Sequence, residues 1–193
     1  FQPELRRALE QIGRGRIFDK VMFAQNDEDV TEIIDNIVGV VQSLSSSRTG
    51  ALIVIERKTG LNDVVETGVR LDARLTKELL ENIFVPNTPL HDGAVIIRES
   101  RIVAAGCFLP LTENPNLSKQ LGTRHRAALG ISEASDALAI IVSEETGIVS
   151  TASDGKLTRY LDAEGLRSIL EKIYIKEKEI KPFSLIKRRA KDA

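Results

Sequence analysis

Apolar positions along the chain switch between a helical and an extended period, and the switches mark out most of its elements. From Asp27 to Leu44, the positions Val30, Ile33, Ile34, Ile37, Val38, Val41 and Leu44 recur at helical spacing, one apolar stripe on one face. Asp27 suits an N-cap and Ser45-Ser46-Ser47 an exit. Ala51-Leu52-Ile53-Val54-Ile55 is then a continuous apolar run, the pattern of a strand buried on both faces. After turn chemistry at Thr59-Gly60-Leu61-Asn62-Asp63, Val64 to Leu71 reads as a short extended piece. Thr76 to Phe84 reads as a helix stopped ahead of Pro86 and Pro89.

Ala94-Val95-Ile96-Ile97 and the run from Ile102 to Leu109 predict two strands, and the polar Arg98-Glu99-Ser100-Arg101 between them makes a β-hairpin. Pro110 to Leu121 carries Asn-Pro-Asn turn residues and reads as a loop, followed by a helix from Arg124 to Ser135. Leu138-Ala139-Ile140-Ile141-Val142 is another buried strand, and Ile148 to Ala152 pairs through the Asp154-Gly155 turn with Lys156 to Tyr160. A helix over Ala163–Ile175 closes the pattern. Strands interleaved with helices predict a single α/β domain over residues 27–175, a mixed central β-sheet flanked by helices. Residues 1–26 form a linker helix ahead of it, and residues 176–193 a basic tail.

Composition narrows the function classes. The 193 residues carry 27 Lys+Arg against 28 Asp+Glu, which argues against a surface built to grip nucleic-acid backbone. With no Trp and only two Tyr, few rings exist for stacking single-stranded bases. One cysteine, Cys107, excludes an internal disulfide and suits a reducing compartment. No apolar run is long enough to cross a bilayer. The chain begins with Phe1 rather than Met, and the amphipathic stretch Gln2–Ile12 runs into Gly13-Arg14-Gly15-Arg16. Two readings stand for this basic start: the cytoplasmic flank of a membrane anchor lying upstream, or a solvated surface helix.

Two stretches carry chemistry beyond the core pattern. In Leu90-His91-Asp92-Gly93-Ala94 an imidazole and a carboxylate immediately precede a buried strand, where both can ligate a divalent cation. Gly93 there admits close approach to the backbone. The same residues also make an ordinary Asp-Gly turn. Gly122-Thr123-Arg124-His125-Arg126 opens a predicted helix, whose N-terminus ordinarily prefers acids. Two arginines and a histidine at that end call for an anion, and guanidinium matches phosphate oxygens in bidentate fashion. The alternative is a surface cluster pairing with nearby acids such as Glu133.

Ser143-Glu144-Glu145 leaves the C-terminal end of a buried strand, where α/β sheets place ligands, although an exposed acidic turn has the same sequence. Phe108-Leu109-Pro110-Leu111 serves either an apolar slot for a base or the core. No Walker A sequence, no Gly-x-Gly-x-x-Gly and no serine triad is present.

The Asp92-Gly93-Ala94 sequence, followed about thirty residues later by Arg124-His125-Arg126 in a Gly-Thr-Arg-His-Arg context, resembles the paired motifs of bacterial diadenylate cyclase domains. The Leu-His-Asp-Gly-Ala form is similar to the CdaA type. The resemblance covers the chain from about Arg6 to Ile175 and implies the fold of that domain. It also implies condensation of two ATP into cyclic di-AMP with release of two pyrophosphates, in a face-to-face homodimer. Asp92 would then be a ligand and activator for Mn²⁺ or Mg²⁺, with His91 a second ligand. Arg124 and Arg126, with Gly122, Thr123 and the local amides, would hold phosphates, and His125 would orient the loop. Ser143 and Glu145 would lie near triphosphate and metal, and Leu109 against adenine.

CdaA-type proteins carry membrane spans ahead of the cyclase domain, so the resemblance implies a parent anchored in the bacterial membrane with this domain facing the cytoplasm. It further implies a membrane-bound regulator and phosphoglucosamine mutase as partners. Two other readings compete: a nucleotide-binding sensor without catalysis, and an interaction domain docking through its basic ends on acidic lipid. Retention of His91 and Asp92 beside the paired arginines favours the enzyme.

Overall fold

The computed structural model describes residues 16–114 and 121–175. Among them the chain runs α1 (Arg16–Ser46), β1 (Ala51–Ile55), α2 (Asn62–Val65), β2 (Val69–Arg74), α3 (Lys77–Ile83), β3 (Ala94–Arg98) and β4 (Arg101–Cys107). It continues as α4 (Thr123–Ala134), β5 (Leu138–Val142), β6 (Val149–Ser153) and β7 (Lys156–Arg159), then a helix α5 over 163–175. The expected helix at Gln2–Ile12 and the basic tail from Lys176 lie outside the described residues.

The seven strands form one sheet in the order β2-β4-β3-β1-β5-β6-β7. Only β1 and β3 pair in parallel; every other neighbour is antiparallel. The sheet is therefore mixed, as the pattern predicted. The continuous apolar runs take its centre because both their faces are covered. Ala51, Ile53 and Ile55 of β1 face one core, with Ile33, Ile37 and Val41 of α1, Leu80 of α3 and Leu170 of α5. Leu52 and Val54 face the other, with Ala128, Leu129 and Ile131 of α4. The result is three layers: α1, α3 and α5 on one face, and α4 with the short α2 on the other.

Irregular pairing between β3 and β4 decides which side chains reach the α4 face. Ile97 pairs with Ile102 but Ile96 with Ala104, leaving one extra residue on β4. A second shift separates Ile96–Ala104 from Ala94–Cys107, close to Gly106 at φ +66°. Such bulges break strict alternation. Ile102 and Ala105 thus face the α1 core, whereas Ala104 and Cys107 face the α4 core.

The expected extended piece over Val64–Leu71 is corrected: a helical turn over Asn62–Val65 precedes a strand that starts only at Val69. The two valines favour a strand by propensity, but Val65 is buried against the α4-side core and the turn is what delivers it there. β2 is an edge strand with no fully buried residue, and the expected extended piece meets it only over Val69 to Leu71.

Candidate active site

One edge of the sheet gathers the start of β1, the start of β3 and the ends of β4 and β5, because β4 and β5 run antiparallel to that central parallel pair. A cleft of about 540 Å³ opens there on the α4 side, within the range of small-molecule sites. Leu52 and Ile141 contribute to its lining from β1 and β5; Cys107, Phe108, Leu109 and Leu111 enter from the end of β4 and the loop beyond. Asp92 and Gly93 enter ahead of β3, Gly122 to His125 from the start of α4, and Ser143, Glu144 and Glu145 from the end of β5.

The two motifs, apart in sequence, are thus brought to one cleft, though not in full. Asp92, Gly93, Leu109, Gly122, Thr123, Arg124, His125, Ser143 and Glu145 line it, while His91, Ala94 and Arg126 do not. Ala94 is fully buried in β3 and packs in the α4-side core. Arg126, two positions beyond Arg124, is exposed, since residues two apart on a helix do not share a face.

Gly93 has φ +125°, and a Cβ there would lie 2.6 Å from the carbonyl carbon of Gly106 and 2.9 Å from backbone atoms of Cys107. The glycine of the Asp-Gly-Ala sequence is therefore dictated by contact with β4, which seats the preceding Asp92 at the cleft with its side chain exposed. His91 is half-buried, and its Nδ1 lies 2.6 Å from the Thr88 carbonyl oxygen. A carbonyl only accepts, so Nδ1 donates this bond, and in the neutral ring Nε2 is then the nitrogen with the lone pair.

The N-terminus of α4 has Gly122 as its N-cap, no capping side chain and no acid in its first turn. Arg124 is half-buried beside it, and its Nη1 donates to Glu144 Oε2 at 2.5 Å. Glu133 instead accepts from the Thr112 hydroxyl at 2.7 Å, so the pairing considered for it falls to Glu144. Glu144 stands in the sequence only as part of an acidic turn, and its pairing with Arg124 is not legible there because the contact spans twenty residues and two elements.

His125 is buried, and its Nε2 has no hydrogen-bond partner. Burial first, and the nearby Arg159 charge second, lower its pKa and keep it neutral. A neutral imidazole there offers no charge to a phosphate. Cys107 is pushed up to about 11 by burial, so its thiol stays protonated and is no nucleophile. Among the described residues no group of three or more His, Cys, Asp or Glu is placed to hold a metal. His91 and Asp92 are the two donors that would be open to a divalent cation, which would take its remaining ligands from phosphate oxygens and water.

The chain is similar to known proteins over most of its length. The DAC family, described as the nucleotide-binding region of the DisA bacterial checkpoint controller, matches residues 38–157. The cyclic di-AMP synthase CdaA of Bacillus subtilis is 56% identical over 171 residues, covering 89% of this chain and 62% of its own. A diadenylate cyclase of Listeria monocytogenes is 51% identical over 172 residues, covering 89% of this chain and 63% of its own. This chain therefore spans a little over three-fifths of the length of these relatives.

Among solved structures, DacA from Staphylococcus aureus, a double mutant, superposes with TM-score 0.75 at 49% identity, covering 76% of this chain and 98% of that one. A Bacillus cereus protein described as a hypothetical membrane spanning protein gives TM-score 0.64 at 50% identity, covering 65% of this chain and 62% of that one. Among the described residues here, no helix is long and apolar enough to cross a membrane. With its motif pair at one cleft, its mixed seven-stranded sheet and these matches, the chain belongs to the DAC family of diadenylate cyclase domains.

Proposed function

We propose that this chain is the catalytic domain of a diadenylate cyclase, converting two ATP molecules into cyclic di-AMP and two pyrophosphates. The observation that carries the reading is the meeting of Asp92 and Arg124 at one cleft of about 540 Å³. One side of the cleft is apolar, through Leu52, Phe108, Leu109 and Leu111, and receives the adenine. The other offers Arg124, the uncapped start of α4 and Ser143, which receive the phosphates.

A cleft of this size holds one nucleotide, so joining two calls for a second copy facing the first. Each 3′-oxygen then forms a bond to the α-phosphorus of the other nucleotide as the bond to the departing pyrophosphate breaks. The hydroxyl proton leaves on the side of Asp92, an exposed residue that lines the cleft. Arg124 and the α4 amides stabilise the charge that grows on the leaving pyrophosphate, and positioning supplies most of the acceleration. His91 through Nε2, together with Asp92, would hold Mn²⁺ or Mg²⁺, which when bound polarises phosphate and hydroxyl oxygens.

The test is incubation with ATP and Mn²⁺ or Mg²⁺, read by mass spectrometry for cyclic di-AMP. Specific activity should fall on dilution as the facing copies separate. ATP binding without product would instead identify a sensor, and neither binding nor product a docking module.

A further inference from the structure

The last turn of α1 and its connection to β1 lie beside the cleft, and one residue of each touches the elements of the phosphate side. A Cβ built on Gly50 would lie 2.6 Å from Arg124 Nη1, 2.8 Å from Arg124 Cζ and 2.8 Å from Glu144 Oε2. The ion pair at the edge of the cleft is therefore seated on the bare backbone of Gly50. Five residues earlier, the Ser45 hydroxyl donates to the Gly147 carbonyl at 2.6 Å. Gly147 closes the turn that carries Ser143, Glu144 and Glu145, its own N–H donating to the Ser143 carbonyl at 2.8 Å. Gly147 also approaches so near that a Cβ on it would meet the Ser45 carbonyl oxygen at 2.5 Å.

These two contacts are independent, one steric and one a hydrogen bond, and they fix the two partners of a single ion pair. Arg124 projects from α4 and Glu144 from the β5–β6 turn, and the ion pair joins these two elements. What they share is the connector beneath them. We propose that residues 45–50 are a positioning element for the phosphate end of the cleft: Ser45 anchors the β5–β6 turn, and Gly50 keeps open the seat of Arg124 and Glu144. The inference rests on the reading of this cleft as an ATP site and names residues that neither paired motif contains. Its chemistry is steric and local: a side chain at position 50 pushes the guanidinium from its seat, while the adenine side, built by Phe108 to Leu111, is left as it was.

Gly50→Ala and Ser45→Ala are compared with wild type and with Gly60→Ala, where a Cβ would meet nothing within 4 Å. Binding is measured by calorimetry with Mg²⁺ and 3′-deoxy-ATP, which has the triphosphate but no hydroxyl to cyclise. Adenosine, without phosphates, is titrated alongside by NMR.

The atoms that crowd a Cβ at Gly50 are ends of flexible side chains, so the fold is kept and the thermal midpoint should stay within about 2 °C of wild type, a shift below 1 kcal/mol. Gly50→Ala should weaken 3′-deoxy-ATP binding about tenfold or more, the scale of one charge-assisted hydrogen bond. Ser45→Ala should weaken it by a smaller factor, and both variants should bind adenosine as wild type does. Unchanged 3′-deoxy-ATP affinity in Gly50→Ala overturns the proposal. So does an equal loss of adenosine binding, or the same loss in Gly60→Ala. If wild type itself fails to bind 3′-deoxy-ATP, the ATP reading of the cleft falls instead, a result visible before any variant is made.

Discussion

Replacing Gly93 by alanine tests whether the glycine beside Asp92 is there for the backbone or for a ligand. At φ +125° a Cβ is strained in any surroundings, and holding a side chain in such a conformation costs about 1–3 kcal/mol. The added carbon would also sit 2.6 Å from Gly106 C and 2.9 Å from Cys107 N and O. These are backbone atoms in a central strand and cannot swing away, so overpacking adds about 1–3 kcal/mol. The sum is about 2–6 kcal/mol, against a domain stability of about 5–15 kcal/mol.

Gly106→Ala supplies the internal control. Its φ is +66°, but a Cβ there would find nothing nearer than 3.6 Å. Only the left-handed conformation is penalised, at about 1–2 kcal/mol. Urea unfolding followed by circular dichroism, without nucleotide, gives both differences. Gly93→Ala should be the more destabilised, by at least about 1 kcal/mol. If it costs no more than Gly106→Ala, close approach to β4 does not explain this glycine, and a ligand-contact role takes its place.

Three further outcomes follow from the same geometry. Asp92→Asn, at an exposed position, should keep the fold and ATP binding but lose cyclic di-AMP formation; normal product yield by mass spectrometry would remove Asp92 from its assigned role. His125 has a pKa lowered from 6.5 by burial and by Arg159, so below 6.5 the unfolded chain takes up a proton that the folded chain refuses. Its contribution is present in full above that pH and is lost as pH falls toward the folded value. Wild type should accordingly lose stability from pH 6.5 to 5 on a slope that His125→Gln lacks, measured by urea unfolding at each pH. Cys107, buried and pushed up to about 11, should resist iodoacetamide at pH 8 in the folded chain and react fully in urea; rapid labelling of the folded chain would contradict its burial.

Much of the architecture was written in the period of the apolar residues. Runs such as 51–55 and 138–142 permit no solvent face, so they had to be central strands. The polar break at Glu99-Ser100 placed the β3–β4 hairpin within a residue or two. The motif pair at Asp92 and Arg124 was legible because its chemistry contradicts its local setting: cations at a helix N-terminus and a carboxylate at a strand entrance. Less visible was anything that depends on one element meeting another. The helical turn at Asn62–Val65 hid behind β-branched residues, because burial of Val65 outweighed local propensity, and the bounds of β2 were blurred by the polarity of an edge strand.

The α/β class, the central strands and the residues with chemistry to offer follow from hydrophobic period and side-chain type alone. The three-dimensional packing was needed to show that Arg124 and not Arg126 lines the cleft, that His125 is buried with its pKa lowered, and that Glu144 is the carboxylate on Arg124. It also decided that Gly50 and Ser45 stand behind that pair. The physical reason is range. Period and propensity act over a few residues, whereas an ion pair, a clash or the desolvation of an imidazole is set by atoms that the antiparallel pairing of β5 with β1 brings together across the sheet.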